Sequence, residues 1–161
     1  MHAYLAVDIA SRFLQTLGDT NLAVDSLADG FKCYTNQYFR LDQLYRKFIY
    51  HAASAEQNDL LRELQTMVEN FYSNRYLLPL NNLWQEKLDS QIQWNVPGIR
   101  RQDHFFSDNI QGVLDKGKKV FVIISDALRY EVAEELCERL TVEDRYSAEL
   151  SSMYSVLPSY T

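Results

Sequence analysis

A continuous apolar run that stops on an acid does most to limit what this chain can fold into. Lys118–Asp126 reads KKVFVIISD. Val, Phe and Ile together, bounded by charge, suit a strand covered on both faces, the usual condition in a parallel sheet. Leu128, Val132, Leu136 and Leu140 follow at i+4 spacing. That predicts a helix over Ala127–Leu140, with Glu131, Glu134, Glu135, Glu138 and Arg139 on its wet face. Ala148–Val156 predicts a second strand, interrupted by Ser151, Ser152 and Ser155. Strand, helix, strand over about 40 residues is a βαβ unit, which crosses over right-handed and keeps its strands parallel. Both C-terminal strand ends then share one edge of the sheet, where open α/β sheets bind ligands. Asp126 closes the first strand and Thr161 follows the second in VLPSYT, so this topology places an acid and an alcohol on that edge.

Upstream the pattern is helical. Leu5, Ile9, Phe13 and Leu17 recur every four residues, and Gly18 marks a stop. A weaker stretch, Leu22–Asp29, precedes Gly30. Tyr34, Tyr38, Leu41, Tyr45 and Phe48 form an aromatic stripe. Leu60, Leu64, Met67, Phe71 and Leu78 form a longer one, widened by Leu61, Val68 and Tyr72. Pro79 is expected to end or kink that helix, leaving a short helical piece over Asn81–Leu88. Pro97–Gly98 marks a turn in VPGIRR. Phe106, Ile110, Val113 and Leu114 then predict a short helix closed by Gly117 at C′. The fold class expected is mostly α with a small α/β part: a helical segment over 1–95, a linker over 96–102 and an α/β piece over 103–161.

Composition narrows the functions. The 161 residues carry a net charge of −6, which disfavours nonspecific binding to nucleic-acid backbones. Arg100–Arg101 and Lys116–Lys119 are the basic patches, both short and at expected loops. The residues between the aromatics are mostly Asn, Gln, Asp and Glu, so the rings suit helix packing better than base stacking. No apolar run reaches the length of a membrane span, and Asp8 and Arg12 interrupt the first apolar pattern, which argues against a secretion signal. Cys33 and Cys137 form no CxxC and are expected as free buried thiols of a cytoplasmic protein.

Two residues stand out chemically. Asp126 suits a divalent-metal ligand, since a carboxylate at a strand end is a rigid oxygen donor, although spacing alone favours the N-cap of the helix beginning at Ala127. Thr161 suits a nucleophile, since metal coordination makes a hydroxyl reactive, although the pattern alone favours an ordinary loop threonine. Ser125–Asp126 beside Arg129 is a further anion-binding candidate at the helix start. His2, His51 and His104 are scattered. Phosphate-cradling glycine loops and nucleophile elbows are absent from the sequence.

The paired stretches SDALRYE (Ser125–Glu131) and LPSYT (Leu157–Thr161) resemble the PglZ domain, a branch of the alkaline phosphatase superfamily. DQLYRKFI (Asp42–Ile49) and VENFYSNRYLLPLNNLW (Val68–Trp84) are similar to the helical region before that domain in PglZ proteins of BREX phage-defence systems. The resemblance implies that 103–161 opens an alkaline-phosphatase-like α/β domain. It implies Asp126 as a metal ligand, and Thr161 as both nucleophile and metal ligand. Two zinc ions and phosphate-ester hydrolysis through a covalent phospho-enzyme are implied with them. The remaining Asp and His ligands of such sites come from sequence after the nucleophile. The chain is therefore expected to be a piece of an enzyme, inactive alone and without tight metal binding. Its expected partners are other phage-defence proteins or further copies of itself, with nucleic acid only within a full complex.

A non-enzymatic alternative is a helical interaction module of a defence complex, motivated by the broad faces at Tyr34–Phe48 and Leu60–Leu78. A monomeric 1–95 segment with no exposed apolar surface counts against it.

Overall fold

The computed structural model describes residues 1–55, 58–126, 128–143 and 145–155. They fall into two compact units, Met1–Gln91 and Ile92–Thr161. The first is helical. Helix α1 spans His2–Asp19, α2 Leu27–Cys33, α3 Phe39–Ala53, α4 Asn58–Phe71 and α5 Leu78–Asp89. A wide π turn, Tyr34–Tyr38, joins α2 to α3 without a break, and a second, Tyr72–Leu77, joins α4 to α5. No helix among the described residues is long and apolar enough to cross a membrane.

The core follows the predicted stripes. Ala6, Ile9, Ala10 and Phe13 of α1 are buried against α3, which contributes Leu41, Leu44, Phe48 and Ala52. Leu61, Val68, Tyr72 and Tyr76 close the cluster from the third side. The buried line of α4 is thus the one expected only to widen its stripe. Met67 and Leu78 of the expected line are 38% and 54% exposed. Tyr38, Tyr72 and Tyr76 bury their rings and spend their hydroxyls in hydrogen bonds. Tyr45 stacks on Tyr72 with centroids 3.7 Å apart. The Tyr38 hydroxyl accepts from Ala23 N at 3.0 Å, which pins the connection between α1 and α2. Burial holds the phenols of Tyr38, Tyr45 and Tyr76 above their ordinary pKa, so they stay protonated, and Tyr38 and Tyr76 act as donors.

Two punctuation marks act differently from their sequence expectation. Pro79 lies in the first turn of α5 and does not stop the helix. Proline lacks an N–H and crowds the carbonyl one turn back, and the wider π turn immediately before it relieves both problems. Gly30 lies inside α2, whose N-cap Ser26 accepts from Asp29 N at 3.1 Å. The glycine is there for space: a Cβ would stand 2.8 Å from Trp84 Cζ3 and 3.0 Å from Val24 Cγ1. We expect Gly30→Val to cost about 2 kcal/mol or more by overpacking, read as a lower midpoint in urea unfolding. An unchanged midpoint would show that Trp84 yields freely. Gly18 likewise falls inside α1, which ends one residue later with Thr20 as its C-cap.

The aromatic face at Tyr34–Phe48 is thus largely spent inside this unit, whereas Met67 and Leu78 of the Leu60–Leu78 face stay exposed.

In the second unit, a turn at Pro97–Gly98, with Gly98 at φ +79°, leads into strand β1, Arg100–Arg101. These residues lie within the stretch read as a linker. A helical stretch follows, ending in α6, Gly112–Leu114. Gly117, at φ +69°, donates to Leu114 O at 2.8 Å and Lys118 N donates to Val113 O at 3.3 Å, the double bond of a Schellman stop. Helix α7 spans Tyr130–Val142 and strand β2 Met153–Tyr154. Arg100 pairs with Met153 and Arg101 with Tyr154, in parallel. Tyr154 is buried and donates to Asn95 Oδ1 at 3.2 Å, while Trp94 Nε1 donates to Ser155 O at 2.6 Å.

The predicted first strand is a correction. Lys118–Ser125 is not a strand, and β1 takes the place beside β2. Phe121, Ile123 and Ile124 are 89%, 91% and 88% exposed. A doubly covered strand needs a neighbour on each edge and a layer on each face, and the described residues supply neither here.

Candidate active site

Asp126 sits in a turn at the end of the exposed run 118–125, and is itself exposed. It does not close a strand. It does not cap α7 either: that helix begins at Tyr130, with Arg129 at the N-cap in an extended conformation and no side-chain cap bond. The start falls later than predicted and leaves Asp126 four residues upstream. The structural role that competed with metal binding in the sequence is therefore gone. The pairing of Ser125–Asp126 with Arg129 as an anion site loses its helix N-terminus for the same reason.

Helix α7 also turns a different face inward from the one expected. Glu131 is fully buried, although the sequence puts it on the wet side, and Arg129 Nε stands 4.0 Å from its Oε1. Leu128, just before the helix, and Leu136 on it are 48% and 49% exposed. Arg139 bonds Glu135 one turn away at 2.7 Å. This exposed pair orders the helix surface and is worth only tenths of a kcal/mol.

Thr161, and all of Val156–Thr161, lie outside the described residues. The structure therefore places one of the two predicted site residues and gives no distance between them. Among the described residues, no group of three or more His, Cys, Asp or Glu side chains is arranged to hold a metal. What is described does not fit a two-zinc centre: Asp126 is one carboxylate without a converging second donor. Cys33 and Cys137 are free and partly buried.

The apolar run, the acid after it and the helix beyond belong to an alkaline phosphatase-like sequence. Residues 105–161 match the BREX system PglZ alkaline phosphatase-like domain. The chain is 43% identical over 138 residues to the alkaline phosphatase-like protein BrxZ of Escherichia coli O9:H4 (strain HS), a match covering 81% of this chain and 16% of that protein. It is 42% identical over 135 residues to the alkaline phosphatase-like protein PglZ of Bacillus cereus (strain H3081.97), covering 83% of this chain and 16% of that protein. The chain belongs to the PglZ family. It spans about one sixth of the length of these relatives. No solved structure matches it.

Proposed function

We propose that this chain is the helical lead-in and the opening part of a metal-dependent phosphohydrolase of the PglZ type, acting on phosphate mono- or diesters in a BREX-like phage-defence system. One observation carries the reading: the PglZ match over 105–161 contains both SDALRYE and LPSYT, the stretches that hold Asp126 and Thr161. The exposed, uncapping position of Asp126 supports it, since that carboxylate has no packing task. In this reading 1–95 is the helical segment, 96–102 the linker and 103–161 the start of the α/β domain.

Asp126 would hold a divalent cation, zinc by analogy with the family, whose contribution when bound is electrostatic stabilisation of the reacting oxygens. Thr161 would be both nucleophile and ligand. Its Oγ would form a bond to phosphorus as the ester P–O bond breaks and the leaving alcohol takes a proton. Water would then release phosphate from the threonine. One carboxylate and one hydroxyl are too few donors for two dications, so this chain by itself is expected neither to bind zinc tightly nor to hydrolyse esters. The exposed Phe121–Ile124 run would be covered by further strands of the same domain in the whole protein. Expected partners are other defence proteins or further copies, with nucleic acid engaged only inside the complex, in the cytoplasm.

The test uses a protein carrying this chain together with the remainder of the domain. Asp126→Asn there should lower both bound zinc and hydrolysis of a chromogenic phosphodiester by about tenfold or more. Unchanged zinc stoichiometry and rate would remove Asp126 from the site.

A further inference from the structure

His2 and His51 are 49 residues apart in the chain, yet Nδ1 of one lies 2.9 Å from Nδ1 of the other. His2 is the first residue of α1 and His51 is in the last turn of α3, so the pair ties the start of one core helix to the end of another. The ring centroids are 5.1 Å apart, close to the nitrogen separation plus the two ring radii. The two nitrogens therefore face each other head-on. That geometry admits one hydrogen between them, with one ring donating and the other accepting. Two neutral imidazoles satisfy it. So does a pair carrying one extra proton, where the donor is cationic and the bond is charge-assisted. A second extra proton sets two N–H groups and two positive charges against each other.

The neighbouring ring is Tyr50, which meets both imidazoles edge-on with centroids 6.1 Å from His2 and 5.1 Å from His51. Lys47 stands one turn before His51 on α3 with an interaction of its own, and Leu5 and Ala6 follow His2 on α1. Helix α4 packs on both helices, and none of its described charged groups forms an ion pair with either ring. Both imidazoles are partly buried.

We propose that the His2–His51 bond is a proton-operated clamp, which holds the start of α1 on the end of α3 while the pair carries at most one extra proton and opens when both rings are charged. The sign follows from the same geometry. His51 is held below the ordinary imidazole value, first by burial and then by the charge of His2. The unfolded chain thus binds more protons than the folded one in this range. The clamp's stabilisation is complete above the ordinary imidazole pKa and is lost as pH falls through the lowered one.

The test is amide hydrogen exchange of the whole chain, compared as protection factors at pH 7.5 and pH 5. Protection over Ala6–Ala10 should fall about tenfold on acidification, while Leu41–Phe48 holds. His51→Gln should abolish that pH step. An NMR titration of the unmodified chain provides a check that needs no variant: the His51 ring should titrate below the ordinary imidazole value. A step that survives in His51→Gln, or a His51 ring that titrates at the ordinary imidazole value, overturns the clamp.

Discussion

Replacing Thr161 with alanine, in a protein that carries the rest of the domain, is expected to lower phosphodiester hydrolysis by about a thousandfold or more. The reason is covalent. Without Oγ no bond to phosphorus can form, and the reaction falls back on water attacking directly. Thr161→Ser keeps the hydroxyl and should keep a measurable fraction of the rate. The pair also differs in a readout other than rate. Intact-mass measurement after rapid acid quench should show a phosphorylated protein for the parent and the serine variant, and none for alanine. A Thr161→Ala protein as fast as its parent would end the nucleophile assignment. It would leave Asp126 and the family placement standing, because neither depends on that hydroxyl.

The helices were legible because each carries its own periodic apolar face. Ile9 and Phe13, then Tyr38, Leu41 and Phe48, are spaced to meet across a helical core, and they do. What the residues hid was the use made of particular side chains. Glycine and proline read as breaks, but Gly30 makes room for Trp84 and Pro79 follows a π turn that already accommodates it. A local pattern cannot reveal that a glycine is wanted for its volume, because the neighbour it admits is 54 residues away. Glu131 read as solvated because glutamates cluster around it, yet it is the one among them that is fully buried.

The strand over 118–125 is a failure of another kind. Its apolar run was plain in the sequence, but a strand is a property of pairs. Phe121, Ile123 and Ile124 stay exposed where no partner is in place. The candidate site inherits this difficulty. Sequence motifs locate Asp126 and Thr161, whereas their approach to each other depends on the sheet that such strands would build.

Tyr76→Ala should produce the largest loss of stability in the helical unit, about 3–5 kcal/mol. Tyr76 is only 1% exposed, lies in the π turn before α5, and packs its ring 5.5 Å from that of Tyr72. Its hydroxyl donates to Tyr38 O at 3.0 Å, linking the second π turn to the first. The truncation removes a whole ring from a cluster that cannot collapse into the gap, because Phe48, Leu41 and Val68 around the core are themselves fully buried. It also takes a donor from a buried carbonyl, which costs more than the bond was worth. Tyr76→Phe separates the two terms by keeping the ring and removing only the hydroxyl, and about 1–2 kcal/mol is expected for it. Asp42 offers a contrast nearby: it is buried and accepts from Tyr34 at 2.6 Å and Tyr72 at 2.8 Å, so Tyr76→Phe leaves both of those bonds in place. Urea unfolding followed by circular dichroism would measure all of this, with the midpoint falling and the slope unchanged. A loss below about 1 kcal/mol for Tyr76→Ala would mean that the unit repacks around the missing ring, and that its two π turns are not held together by this residue.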